Sequence, residues 1–343
     1  MPPERTKATI YDVADQAGVA ISTVSRVLNN SPDVSDSTRE RVLSAIGALQ
    51  YRPDRTAKSL AAGQIHTLAV ALPSFTTPFH TELLKGIRGA LHETERDLLL
   101  CDLGSRNRHV RLLEFLKRGT VAGLLLVGVD VSGQIATELR ALHSPVVLIG
   151  SQFEDFDSYR WDDAEGARVA VTHLIDRGHR RIAMIRSMAN SPLQDQRISG
   201  YRRALEDAGI PFDDSLVATG MTEKHAGYSE EAGFEAMEFL LNNRRDVTAV
   251  FASSDVQAIG AMKTIREARL RIPEDVAIVG YDDIKTSSYI GLSSVDQAMQ
   301  QIGRSATKRL IDRVEDRADG IPKSVDITPV LRIRNSSDYS HRR

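Results

Sequence analysis

Five side chains, Ile21, Ser22, Ser25, Arg26 and Asn29, recur in "ISTVSRVLN" at the spacing i, i+1, i+4, i+5 and i+8, which is one face of a helix. Their chemistry suits the edge of a base pair. Hydroxyl and amide groups can exchange hydrogen bonds there, a guanidinium can donate two to guanine, and an apolar side chain can meet a thymine methyl. Ile21 points that way because an apolar residue on a polar face gains nothing from water. The opposite face carries Val24, Val27 and Leu28, which suit a core.

The elements that must hold this face in place are legible around it. A first helix over about Ile10 to Ala17 puts Ile10, Val13, Ala14 and Ala17 on one side, and Gly18 suits the left-handed residue that ends it. The face-bearing helix follows over about Ile21 to Asn29. A third helix, about Asp36 to Leu49, starts at a Ser35 or Asp36 cap and is expected to bury Val42, Leu43, Ile46 and Leu49. Helix, glycine turn and second helix with a polar outer face form a helix-turn-helix, whose second helix enters the DNA major groove. Between Arg39 and Lys58 the chain carries a net charge of +3, a modest phosphate-binding signal. Within "YRPDRTAKSLAAGQ", Pro53 breaks the chain, Asp54 can cap a new helix and Gly63 can stop it after about two turns.

From Thr67 the pattern changes to apolar runs followed by amphipathic stretches: "TLAVALP", "DLLLCDL", "VAGLLLVG", "PVVLIG", then "RRIAMIRS", "TAVFASSD" and "VAIVGYDD". This alternation predicts doubly wound parallel sheets. The two series match each other at a constant offset of 114 residues. That offset pairs Pro78 with Pro192, Gly86 with Gly200, Arg88 with Arg202, Ala90 with Ala204 and Leu91 with Leu205, as well as "TLAVALP" with "RIAMIRS". Two similar α/β lobes imply a cleft between them, lined by the carboxyl ends of their strands.

Composition narrows the rest. With 343 residues, a net charge of -2 and 41% hydrophobic residues, the chain reads as soluble and globular, with no disordered or fibrous character. The first residues lack the apolar core of a signal peptide, and "VAGLLLVGV" is too short to span a bilayer, so a cytoplasmic location without membrane contact is expected. Cys101, the single cysteine, is expected to be a buried structural thiol. His179 in "RGHRRI" is read as a structural residue of a helix-to-strand turn. No metal-ligand spacing, phosphate loop or nucleophile elbow is present, so no catalytic residue, metal or cofactor is expected and an enzyme is disfavoured.

At this level of detail the chain resembles the lactose-repressor (LacI) family of bacterial transcription regulators over nearly its whole length. The resemblance rests on "TIYDVADQAGVAISTVSRVLNNSPDVSDSTRERVLSAIGALQYRPDRTAKSLAAG", and above all on "STVSRVLN". It continues in order through "THLIDRGHRRIAMI", "RISGYRRAL", "SSDVQAIGAMKTIREARLRIPEDVAIVGYDDI" and "SSVDQ". It implies an all-α helix-turn-helix headpiece over 1–52 and a hinge helix with linker over 53–65. It also implies a core resembling periplasmic binding proteins. The N-terminal lobe of that core would span 66–162 with about 292–322, and the C-terminal lobe 163–291 with about 323–337.

Residue by residue, the resemblance assigns base reading to Ile21, Ser22 and Arg26. Phosphate contacts fall on Thr23, Ser25, Asn29 and the cap region before Thr38, with backbone contacts from Tyr51 and Arg55. Leu60 becomes the wedge that opens the minor groove at the centre of a palindromic operator, paired with its mate in a homodimer. Effector positions fall on Phe79, Arg197, Tyr228, Ser254, Asp255 and Asp282, and on Met299, which reads better as core. Arg197 and Asp282 would hold adjacent hydroxyls while Phe79 and Tyr228 stack on a sugar face. Asp255 and Asp283 read equally well as helix caps or ligands of backbone amides.

The function expected is a sequence-specific, DNA-binding regulator of transcription, a repressor controlled by a small polar effector, with a sugar first. A purine or nucleoside co-repressor is the alternative within that class, and a solute-binding receptor the alternative outside it. The tail "NSSDYSHRR" lacks leucine heptads, so the dimer is not expected to pair into a tetramer.

Overall fold

The computed structural model describes residues 8–51, 65–104, 106–118, 121–189 and 191–338. The chain divides into two compact units, residues 1–65 and 66–343.

In the first unit, α1 (Ile10–Ala17), α2 (Ile21–Leu28) and α3 (Asp36–Ala48) enclose one small core. Thr9 and Asp12 form a reciprocal capping box, the Thr9 amide donating to Asp12 at 2.7 Å, which sets where α1 begins. Gly18 ends it at φ 64°, a left-handed conformation that a side chain would strain. Val13, Ala14, Ala17, Val24, Val27, Val42 and Ala45 fill the core. Leu43, expected inside, is 54% exposed. Val42, Ala45, Ile46 and Leu49 already complete the inward stripe of α3, and Leu43 falls beside it.

The second unit holds two sheets built alike. In chain order come β1 (Thr67–Leu72), α4 (Pro78–Leu91), β2 (Asp97–Asp102), α5 (Arg108–Arg118), β3 (Gly123–Val127), α6 (Gly133–Arg140), β4 (Val146–Ile149) and β5 (Asp157–Trp161). Then follow α7 (Asp163–Asp176), β6 (Ile182–Arg186), α8 (Pro192–Asp207), β7 (Val217–Thr219), α9 (Glu230–Asn243), β8 (Ala249–Ala252), α10 (Asp255–Glu267), β9 (Ala277–Asp282) and α11 (Lys285–Ile290). The chain closes with β10 (Ser293–Asp296), α12 (Met299–Val314), β11 (Ser324–Ile327) and β12 (Val330–Arg332).

The sheet orders are β11-β5-β4-β3-β1-β2 and β12-β10-β9-β8-β6-β7, the same pattern twice, all parallel except for the β10–β12 pair. The glycines matched by the 114-residue offset share one task. A Cβ on Gly86 of α4 would fall 2.0 Å from the Gln300 carbonyl oxygen of α12, and one on Gly200 of α8 would fall 2.0 Å from the Ala164 carbonyl oxygen of α7. Each lets two helices pack backbone to backbone.

Strand pairing moves the expected lobe crossings. β10 pairs with β9, so 293–296 stays with the second sheet, and β11 pairs with β5, so 324–327 joins the first. The crossings therefore fall near 297 and 328, about five residues beyond 292 and 323. A four-residue strand joins whichever sheet offers it an open edge, and "SSVD" and "SVDI" do not carry that information themselves. Cys101 is only partly buried, because β2 is an edge strand with Leu99 and Leu100 exposed on it. At the other end of a lobe, His179 stands within hydrogen-bond distance of the Thr248 hydroxyl at 3.1 Å, tying a turn to β8.

Candidate nucleic-acid interface and effector cleft

On the first unit, α2 presents the expected face. Ile21, Ser22, Ser25, Arg26 and Asn29 are exposed and Thr23 is half-buried, while Val24 and Val27 are buried beneath them. Ile21 is 40% exposed although apolar, which suits contact with a partner better than contact with water. No side chain caps the start of α2, so its first amides stay available to phosphate oxygens. The third helix offers a similar end, since Ser35 donates to the Thr38 hydroxyl at 2.9 Å and caps no backbone amide. Arg39 is committed internally, donating to the Ser31 carbonyl at 2.6 Å, so it braces the loop before α3. Tyr51 is half-buried against the headpiece core. Arg55 and Leu60 lie outside the described residues.

In the second unit the expected effector positions fall at strand ends and helix starts: Asp282 ends β9, Asp255 begins α10 and Phe79 lies in the first turn of α4. The expected fork of Arg197 and Asp282 is not what the side chains form. Arg197, 2% exposed, donates from Nε to Asp163 at 2.9 Å and from Nη1 to the Ser253 carbonyl, and its guanidinium lies 3.7 Å from the centroid of the Tyr281 ring. Burial works against its charge, and Asp163, Tyr281, Tyr228 and Asp282 together more than offset that, so its pKa is raised. A buried guanidinium needs a carboxylate close by, and Asp163 at the start of α7 is the one that reaches it. Gly166 of the same helix leaves room for the Tyr281 ring, whose hydroxyl would stand 2.2 Å from a Cβ there.

Asp282, at the end of β9, instead accepts from Gln297 Nε2 at 2.6 Å. Its backbone has φ 112°, a strained conformation for a residue with a side chain, and burial pushes its carboxyl well above the usual range. Gln194, one turn before Arg197, donates to the Tyr228 hydroxyl at 2.6 Å and to Ser253 Oγ at 3.2 Å. Among the described residues, Gln194 Oε1 and Gln297 Oε1 are buried and accept no hydrogen bond. Two buried acceptors are thus left open, one on Gln194 beside Tyr228 and Ser253 and one on the Gln297 amide that donates to Asp282, and donors from a ligand would satisfy them.

Ser254 and Asp255 are both engaged within the protein. Ser254 caps α10, accepting from the Gln257 amide, and Asp255 accepts from the Ile284 amide (2.9 Å), Ser287 Oγ (2.6 Å) and Ser294 Oγ (2.5 Å). Those three donors occupy the lone pairs that an effector would use, although burial still raises its carboxyl to about 7. Asp283 is taken by Arg334 at 2.6 Å. Phe79 meets Trp161 edge-on at 5.7 Å between ring centroids and packs on Val256, Ile284 and Met299, so it touches the opposite lobe; Met299 is core. Trp161 donates from its indole to the Gln297 carbonyl at 2.7 Å.

The sequence reading missed Asp163, Trp161, Gln194 and Gln297. The lone tryptophan and the 114-residue offset, which sets Gln194 opposite His80, were the available signals.

Two family models match the chain: "Bacterial regulatory proteins, lacI family" over residues 9–54, and "Periplasmic binding protein-like domain" over residues 171–337. The chain is 33% identical to the Ribose operon repressor of Escherichia coli (strain K12), covering 96% of this chain and all of that one. A solved complex of the transcriptional regulator CelR with cellobiose shares 33% identity over 96% of this chain and all of that one, with a TM-score of 0.69. A lac repressor dimer bound to operator and the anti-inducer ONPF shares 27% identity over 97% of this chain and 99% of that one, with a TM-score of 0.81. Headpiece, two-lobed core and relatives agree along the whole length, so the chain belongs to the lacI family of bacterial regulatory proteins and is a DNA-binding regulator of transcription.

Proposed function

We propose that the protein represses transcription as a homodimer on a palindromic operator, and that a small carbohydrate held in the cleft controls its grip on DNA. The observation that carries the effector reading is the pair of buried, unsatisfied oxygens, one on Gln194 and one on Gln297, whose amide donates to Asp282. A sugar offers a hydroxyl donor at nearly every carbon, whereas a purine offers donors at one or two edges only. The sugars named with two relatives, cellobiose with CelR and ribose in the ribose operon repressor, support the same class. Arg26 and Ser22 read bases, Ile21 meets a methyl group, and Thr23, Ser25, Asn29, Tyr51 and Arg55 hold the backbone. Leu60 is the wedge, a role carried from the sequence alone. A regulator of this kind works in the cytoplasm, and no described helix is long and apolar enough to cross a membrane.

Thermal melting against mono- and disaccharides, sugar phosphates and nucleobases tests the effector class. A ligand at about a hundred times its Kd stabilises the core by roughly 2.7 kcal/mol. A stabilising sugar that also changes operator affinity supports the reading, and a response to nucleobases alone overturns it. For the headpiece, Arg26→Ala is expected to cost about 1–3 kcal/mol of discrimination at one base pair, read by fluorescence anisotropy on operator variants.

A further inference from the structure

The cleft has a second end, built from the loops beyond β2 and β7. Arg106, before α5, pairs across the cleft with Glu223, so these two loops meet. Two residues from each partner stand Arg108 and His225. Arg108 is half-buried and donates only to the carbonyls of Gly104 (3.2 Å) and Gly128 (3.4 Å). Among the described residues no carboxylate pairs with it within 4 Å, although Asp130 lies within electrostatic reach. His80, on the first turn of α4, is held neutral by burial above all, with Arg108 and His225 acting in the same direction, and has a pKa of about 3. His225 is half-buried at φ 49°. Tyr228 links the two ends, being within electrostatic reach of Arg108 and of Arg197. The N-termini of α4 and α5 add their partial positive charge at the same place.

One end of the cleft therefore presents acceptors and a neutralised Arg197–Asp163 pair, and the other presents the Arg108 guanidinium, with no carboxylate paired to it among the described residues, beside the imidazoles of His80 and His225. We infer that the effector carries an anionic group, a phosphate or a carboxylate, seated against Arg108, His80 and His225, while its hydroxyl-bearing part lies on Gln194, Asp282 and Gln297. This rests on the carbohydrate reading above for the second half of the ligand only. A phosphate or carboxylate oxygen would take the free guanidinium donors of Arg108 as charge-assisted hydrogen bonds.

The test uses matched pairs on the full chain, followed by calorimetry and by the fluorescence of Trp161, the single tryptophan. The pairs are ribose with ribose 5-phosphate, glucose with glucose 6-phosphate and with glucuronate, and adenosine with its 5′-monophosphate. The expected result is an anionic sugar binding at least about tenfold tighter than its neutral parent. Whether the ester or the acid gains more identifies the group. Arg108→Gln is expected to reduce that preference to about twofold or less, Arg108→Lys to retain most of it, and His225→Asn, which tolerates the left-handed backbone, to lower it about threefold. A neutral sugar that binds as tightly as its anionic partners, or a preference that survives Arg108→Gln, overturns the anionic group and leaves the carbohydrate reading intact. An Arg108-dependent preference for the nucleotide, with no sugar of either kind bound, overturns the carbohydrate reading and leaves the anionic group standing. If no pair binds, both fall.

Discussion

The two lobes share one backbone plan and differ in what they bury at matched positions. Under the 114-residue offset, Leu83 of α4 matches Arg197 of α8, and His80 matches Gln194. Leu83 is fully buried among aliphatic side chains, whereas Arg197 is equally deep but held by Asp163, the Ser253 carbonyl and the Tyr281 ring. The same helix position thus serves as core in one lobe and as the base of a polar site in the other. A repeated fold can change function wherever one buried position gains both a charge and a partner for it, and the rest of the scaffold is left as it was.

The strongest way to break this comparison is to make the second lobe like the first. Arg197→Leu leaves Asp163 buried without its partner, and about 3–5 kcal/mol of stability is expected to be lost, together with effector binding. The double variant Arg197→Leu, Asp163→Leu is expected to recover most of the melting temperature and none of the binding. Full loss of stability in both variants would mean that position 197 is not interchangeable between lobes.

A smaller effect tests the shared helix packing. Gly86→Ala and Gly200→Ala each drive a methyl group into a facing carbonyl, and each is expected to destabilise by about 2 kcal/mol. Losses that differ by more than about 1 kcal/mol in chemical denaturation would show that the two contacts are not equivalent.

The smallest effects concern pH, where His80 and Asp255 are expected to pull in opposite directions. His80 has its pKa lowered to about 3, so its contribution to stability is fully present above the ordinary histidine range and is lost as pH falls toward that value. Asp255 has its carboxyl raised to about 7, so its contribution to stability is greatest below the ordinary carboxylate range and is lost as pH rises toward neutrality. His80→Gln, which copies the matched residue of the other lobe, is expected to raise stability relative to wild type at about pH 5 by roughly 1 kcal/mol. Asp255→Asn is expected to flatten the decline from about pH 5 to pH 7 by a similar amount. Parallel slopes in the two variants would contradict the assignment.

Much of this organisation can be read before folding. The bounds of α1 to α3 follow from helical spacing and Gly18, and the exposed face of α2 follows from its polar residues. The duplicated sheet follows from the offset of 114 that carries Pro78 and Gly86 onto Pro192 and Gly200. These are local or periodic properties, set by side-chain direction along a helix and by which residues suit helix starts and close helix contacts.

The pairing of buried polar groups was not legible. Arg197 goes to Asp163 and Asp282 to Gln297, while Asp255 is filled by Ile284, Ser287 and Ser294. Arg108 and His225, from different lobes, both come within electrostatic reach of His80. Residue type shows that a buried charge needs a partner, but several carboxylates near Arg197 could have served. Only the tertiary packing of α7 beside α8, and of β9 beside β10, decides which one comes within hydrogen-bonding distance and which oxygens are left for a ligand.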